Sequence, residues 1–147
     1  MPEMEKDIQE KFVLYQMLNQ RLEQIKQHAT IIQQKMIEFE VTKQALADLK
    51  NVKAETEMLV PLGSGIYSHG KSVPVEKILV DIGAGVMAKK TYEEASSFLE
   101  KRKKEIDDAV EMLQGEANAI TAKLGEIVPE LQKAAQDQQE GSQGAAG

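Results

Sequence analysis

Between Met4 and Lys53 the sequence contains no Gly and no Pro, and its apolar residues keep a seven-residue beat. Ile8, Tyr15, Leu22, Ala29 and Met36 recur at every seventh position, and Lys11, Leu18, Ile25, Ile32 and Phe39 follow each of them by three. Nine of these ten are apolar, which is the pattern of a helix that buries one narrow seam against another helix. Past Phe39 the phase slips, and Leu46, Leu49 and Val52 continue the stripe at a small offset, as a stutter does. Fifty helical residues reach ~75 Å at 1.5 Å per residue, too long to be buried within a globule of 147 residues.

A second beat answers the first. Thr91 followed by Glu94 spells a capping box, in which each side chain satisfies a free backbone N–H at the start of a helix. From there Tyr92, Leu99, Ile106, Leu113, Ile120, Ile127 and Ala134 recur every seven residues, with companions that are polar at first and apolar by Leu124 and Leu131. Gly115, Gly125 and Pro129 interrupt this stretch. A kink or fraying is expected at Pro129, because proline lacks an N–H and its ring crowds the carbonyl four residues back. The tail QDQQEGSQGAAG has nothing to bury and is expected to be disordered. The divisions are therefore an N-terminal coiled-coil helix over 4–53, a β segment over 54–90, a C-terminal coiled-coil helix over 91–136 and a tail over 137–147.

The β segment is a different kind of sequence. Met58 to Leu62 and Ile78 to Ile82 are short aliphatic runs, followed by Gly63-Ser64 and Gly83-Ala84-Gly85 and then by Ile66-Tyr67 and Val86-Met87-Ala88. Two consecutive hairpins fit this order. The runs are apolar on both faces, and two small hairpins cannot cover themselves. Their exposed edges invite other chains, so Leu59, Val60, Leu62, Ile66, Tyr67, Ile78, Val80, Ile82 and Val86 are read as an oligomerisation surface. A linker this compact returns the second helix antiparallel to the first, with residues facing each other when their numbers add to about 144. The fold class is mainly α: a long antiparallel two-stranded coiled coil whose helices are joined by two β-hairpins, with both termini at its free tip.

One stretch suggests chemistry. Gly65 to Ser72, GIYSHGKS, matches the spelling of a phosphate-binding loop letter for letter. Such a loop needs a buried strand before it and a helix after it, so that the helix N-terminus faces the phosphates. Here Ser72 is followed by Val73-Pro74-Val75 and then by a second strand run only six residues on, which leaves no room for a crossover helix. The glycines turn hairpins, and the match is accidental. His28 and His69 have no companions at metal-ligand spacing, and Glu93-Glu94 and Asp107-Asp108 read as solvated helix faces. No nucleophile and base can be paired, so no enzyme, metal or cofactor is expected.

Composition narrows the partners. A net charge of −6 lacks the basic footprint that nucleic acid or an anionic membrane requires. There is no Cys for a disulfide, thiolate site or nucleophile, and only three Phe, three Tyr and no Trp to fill a thick core. No apolar run reaches membrane-spanning length, and the polar start MPEMEKDIQEK is unlike a signal peptide. A cytoplasmic protein is expected.

The anomaly lies at the free tip. Phe12, Val13, Leu14 and Met17 join Tyr15 and Leu18 within seven residues, pointing apolar atoms nearly all round a helix whose seam covers only a stripe. Ile8 lies just before them, and Val128 adds to Ile127 and Leu131 on the opposing helix. Such a patch marks an interaction surface. Ile8, Phe12, Val13, Leu14, Met17, Ile127, Val128 and Leu131 are the candidates for holding apolar segments of other proteins.

Essentially the whole chain, read as helix, two hairpins and helix, also resembles the archaeal prefoldin alpha subunit, most specifically over residues 59–102. Leu59-Val60-Pro61, Gly63, Tyr67 and Gly70 match the first hairpin of that family, and Val80-Asp81, Gly83, Gly85, Val86, Glu94-Ala95 and Phe98 match the second hairpin and the helix start. The resemblance implies an ATP-independent chaperone built from two alpha and four beta subunits, whose hairpins assemble into an intersubunit β-barrel. It also implies coiled-coil tips that grip non-native client proteins and deliver them to a group II chaperonin. The competing reading is a passive coiled-coil spacer without client binding.

Overall fold

The computed structural model of the protein describes residues 2–144. Six elements follow one another: α1 (Pro2–Asn51), β1 (Glu57–Gly63), β2 (Ile66–Lys71), β3 (Ile78–Gly83), β4 (Val86–Lys90) and α2 (Tyr92–Gly144). They form two structural units. The first takes residues 1–33 and 107–147, and the second takes residues 34–106 with both hairpins.

In the first unit the helix ends run antiparallel, joined across the seam by Arg21 with Glu116 and by Lys11 with Glu130. Ile25, Ile120 and Ile127 are the buried residues here, each at 6% exposure or less. The other seam positions, Ile8, Tyr15, Leu18, Leu22, Leu113, Leu124 and Leu131, are half-buried. This is the coverage a single partner helix can give. Ala29 is the exception to the beat and is exposed.

In the second unit the helices are joined by Glu40–Lys103, Lys43–Glu100 and Lys50–Glu93. Each pair falls one short of the 144 expected from the hairpin return. The turn into α2 is the capping box read from the sequence. Glu94 N–H donates to Thr91 Oγ1 at 3.1 Å, and Thr91 N–H donates to Glu94 Oε2 at 3.1 Å. Just inside it, Ala95 is buried.

The hairpins are two separate antiparallel sheets, β1 with β2 and β3 with β4. The second repeats the first twenty residues later. Pro61 pairs with Tyr67 and Gly63 with Ile66, leaving Leu62 as a bulge; Asp81 pairs with Met87 and Gly83 with Val86, leaving Ile82 as one. Both turns have the same backbone, with φ near +50° at Ser64 and Ala84 and positive at the glycines on either side. Two left-handed residues in succession make the tight turn whose twist suits paired strands. The glycines at 63, 65, 83 and 85 reach those angles freely.

The sequence expectation departs from the structure at two places on α2. The helix carries on through Pro129 without fraying, and the chain from 137 to 144 is helical rather than disordered; residues 145–147 lie outside the described residues. On either side of Pro129, buried Ile127 and the Glu130–Lys11 ion pair tie the helix to α1, which offsets the one backbone bond that proline removes. Beyond it, Ala134, Ala135 and the Gln-rich stretch are good helix formers, even though few of them find anything to bury.

Candidate chaperone surfaces at the helix ends and the hairpins

The phosphate-loop spelling resolves into a hairpin. Gly65 lies in the turn and Ile66–Lys71 form β2, with Tyr67 to Lys71 laddered against β1. Ser72 then ties the base of this hairpin to the end of α1. Its hydroxyl donates to Lys53 O at 2.7 Å and accepts from Thr56 N–H at 3.0 Å, while its N–H donates to Thr56 O at 2.9 Å. No helix starts after it until Tyr92. Gly70 matters for a different reason. A Cβ placed there would stand 3.3 Å from Val60 Cγ2, so the glycine lets β1 keep a branched side chain diagonally opposite, two residues along from its direct partner Met58. Among the described residues no group of three or more His, Cys, Asp or Glu could hold a metal ion, and no helix is long and apolar enough to cross a membrane.

The hairpins present bare apolar side chains on both faces. Leu59 is 61% exposed, Leu62 67%, Ile66 61% and Tyr67 59% on the first; Val60, Ile82 and Val86 are also exposed, while Ile78 and Val80 are half-covered. Leu79 and Met87 are exposed on the second hairpin as well. Both belong to the short runs that the sequence shows to be apolar on both faces, which is the signal that could have found them.

The first unit holds an open groove of about 670 Å³. Ile8, Phe12 and Val13 of α1 form one wall, and Val128, Leu131 and Ala135 of α2 form the other. Phe12 and Val13 are half exposed, and the Phe12 ring stacks on Tyr15 with centroids 6.4 Å apart. Of the eight candidates, the structure gathers Ile8, Phe12, Val13, Val128 and Leu131 into the groove. Leu14 and Met17 are exposed on α1 but do not line it. Ile127 is a correction: at 4% exposure it is a seam residue that holds the helices together and offers nothing to a ligand. The heptad position predicts that burial, because Ile127 lies on the same beat as Ile120. Ala134, Ala135 and Gln138 also line the groove; Gln138 was not legible, because the helix was expected to end at 136.

Lys11, the one polar residue of the first seam, is explained at this site. Its Nζ lies 2.6 Å from Glu130 on α2 and 2.9 Å from Asp7 on its own helix. The hydrogen bond to Glu130, then that to Asp7, raises its pKa to about 12. The ammonium thus closes one edge of the seam where an apolar residue would leave two carboxylates facing each other. Farther along, Glu116 is held below the usual carboxylate range by its bond to Arg21, a two-point contact at 2.6 and 2.9 Å.

The match to known proteins decides what these surfaces belong to. The sequence model of one family, described as Prefoldin subunit, matches residues 3–137. The chain belongs to the prefoldin subunit family. Among archaeal prefoldin relatives, the prefoldin subunit alpha of Pyrococcus horikoshii is 31% identical over 125 residues, covering 84% of each chain. The prefoldin subunit alpha 1 of Methanocaldococcus jannaschii is 30% identical over 142 residues, covering 94% of this chain and 97% of its own. A cryo-EM structure of filamentous PFD from the same organism superposes with a TM-score of 0.72 at 20% identity, over 80% of this chain and 97% of that one. That likeness shows the shared fold of two long helices with β-hairpins between them. Prefoldin subunits are chaperone subunits and not an enzyme family.

Proposed function

We propose that this prefoldin chain is a subunit of an ATP-independent holdase that acts in the cytoplasm. It captures non-native proteins in the groove between α1 and α2 and delivers them to a group II chaperonin. The observation that carries the reading is the groove itself: half-exposed Phe12 and Val13 facing Val128 and Leu131. A soluble monomer does not leave such a surface open unless something apolar visits it. Each visit is weak, and several grooves in one assembly hold a client through avidity. The assembly is two such alpha chains with four beta chains. Its platform is a β-barrel formed when the bare faces of β1–β4 meet hairpins of neighbouring chains.

The test places a photo-crosslinking amino acid in the assembled complex at Val13 or, as a comparison, at Met112. Both are exposed positions of the first unit, and Met112 is the more exposed at 77%, yet only Val13 lines the groove. Irradiation with a chemically unfolded test protein is expected to label the client from Val13 and not from Met112. Equal labelling from both sites would remove the groove from the mechanism.

A further inference from the structure

The chain's charge is divided unevenly between its units. Residues 1–33 and 107–147 carry six Lys or Arg against thirteen Asp or Glu, a formal −7, while residues 34–106 carry twelve against eleven, a formal +1. The whole negative surplus therefore sits on the unit that holds the groove. It is also placed close to it. Ile8, Leu131, Ala134 and Gln138 line the apolar groove and also a second, smaller depression, whose lining includes Glu5, Asp7, Glu130 and Asp137. Two cations border the same depression, Lys11 and Lys133. Lys11 is already engaged by Asp7 and Glu130, and Lys133 is the other cation that lines the depression with the exposed Glu5 and Asp137.

We propose that the groove selects unfolded segments whose apolar residues are flanked by Lys or Arg, in preference to equally apolar segments flanked by Asp or Glu. The inference rests on the capture reading above and refines it: the apolar wall supplies contact area, and the acidic depression that shares residues with it chooses among clients that offer it. Charge complementarity of this kind raises encounter rates and rejects like-charged partners more than it tightens the contact itself. It also fades as salt shortens the range of the field, from about 30 Å at 10 mM to about 3 Å at 1 M.

Four 15-residue peptides, measured by fluorescence anisotropy against the full chain, test this. Three share one apolar centre and carry Lys, Ser or Glu flanks; the fourth carries Lys flanks on a Ser-Gly centre. At 10 mM salt the Lys-flanked apolar peptide is expected to bind roughly tenfold tighter than its Glu-flanked twin, with the Ser-flanked one between them. The gap should narrow to about twofold at 1 M. The double variant Glu5→Gln, Asp137→Asn should reduce the preference without weakening the Ser-flanked peptide. Equal affinities for Lys and Glu flanks would overturn the selectivity and leave capture standing. Equal binding of the fourth peptide would show that charge alone is recognised, which also overturns it. Failure of all apolar peptides to bind would overturn both readings.

Discussion

Ser72 shows how a single residue can be spelled for one task and employed in another. In a phosphate loop its hydroxyl would reach a magnesium ion; here it bridges Thr56 N–H and Lys53 O and fixes where the first hairpin leaves α1. Both partners are backbone groups, so the loss is not easily repaired by a neighbouring side chain. Ser72→Ala is expected to destabilise the chain by about 1 kcal/mol and to lower Tm by about 2–4 °C in a thermal melt followed by circular dichroism. An unchanged Tm would mean that water replaces the hydroxyl at no cost. Lys11 makes the complementary point. Read as a flaw in an apolar beat, it proves to be the side chain that lets Asp7 and Glu130 approach one seam. A one-dimensional pattern could not show this, because Glu130 is brought to it by the other helix.

At the scale of elements, the helices are joined by ion pairs as well as by apolar burial, and acid should therefore loosen them. Glu40, Glu93 and Glu100 are each held below the usual carboxylate range, chiefly by hydrogen bonds from Lys103, Lys50 and Lys43. An unfolded chain binds protons at these carboxylates before the folded one does. Their stabilisation is thus complete above the ordinary carboxylate pKa of about 4.5 and is lost as pH falls below it through the depressed values. The pairs are exposed, so the effect is modest and weakens with salt. Melting the native chain and a Glu40→Gln, Glu93→Gln, Glu100→Gln variant from pH 7 to pH 3 is expected to show a Tm gap at neutral pH that closes in acid. A gap independent of pH would refute the pairing, and the comparison is unaffected by relief of repulsion among carboxylates common to both proteins. The elements themselves were legible because each has a local cause: the capping box at Thr91, the glycine turns at 63–65 and 83–85, and the seven-residue beat. The groove was legible only in part. Phe12, Val13 and Val128 stood out as apolar residues with no seam to enter, but Gln138 acquires meaning only once α2 is known to continue past 136. Beyond that point helix propensity, rather than any apolar pattern, carries it.

For the whole molecule, the two units expose different surfaces: one an apolar groove that shares residues with an acidic depression, the other the hairpins. The proposed assembly makes the hairpin surface dispensable for folding of the helices and indispensable for association. Leu62→Lys with Ile82→Lys places a charge on each bulge, where both native side chains are exposed. The variant is expected to keep its helical circular dichroism while failing to form a complex with a beta partner in native mass spectrometry. A complex of unchanged mass would mean that the bulges lie outside the interface. The hairpins also carry a consequence in their repetition. Because β3–β4 reproduces the bulge and turn of β1–β2, the chain owns two like-shaped connectors on one polypeptide. Under the proposed mode of association it is a junction rather than an end-piece. A chain with one connector can only terminate a row, whereas this one can join two neighbours, and the ratio of the two kinds of chain then governs whether growth closes or continues.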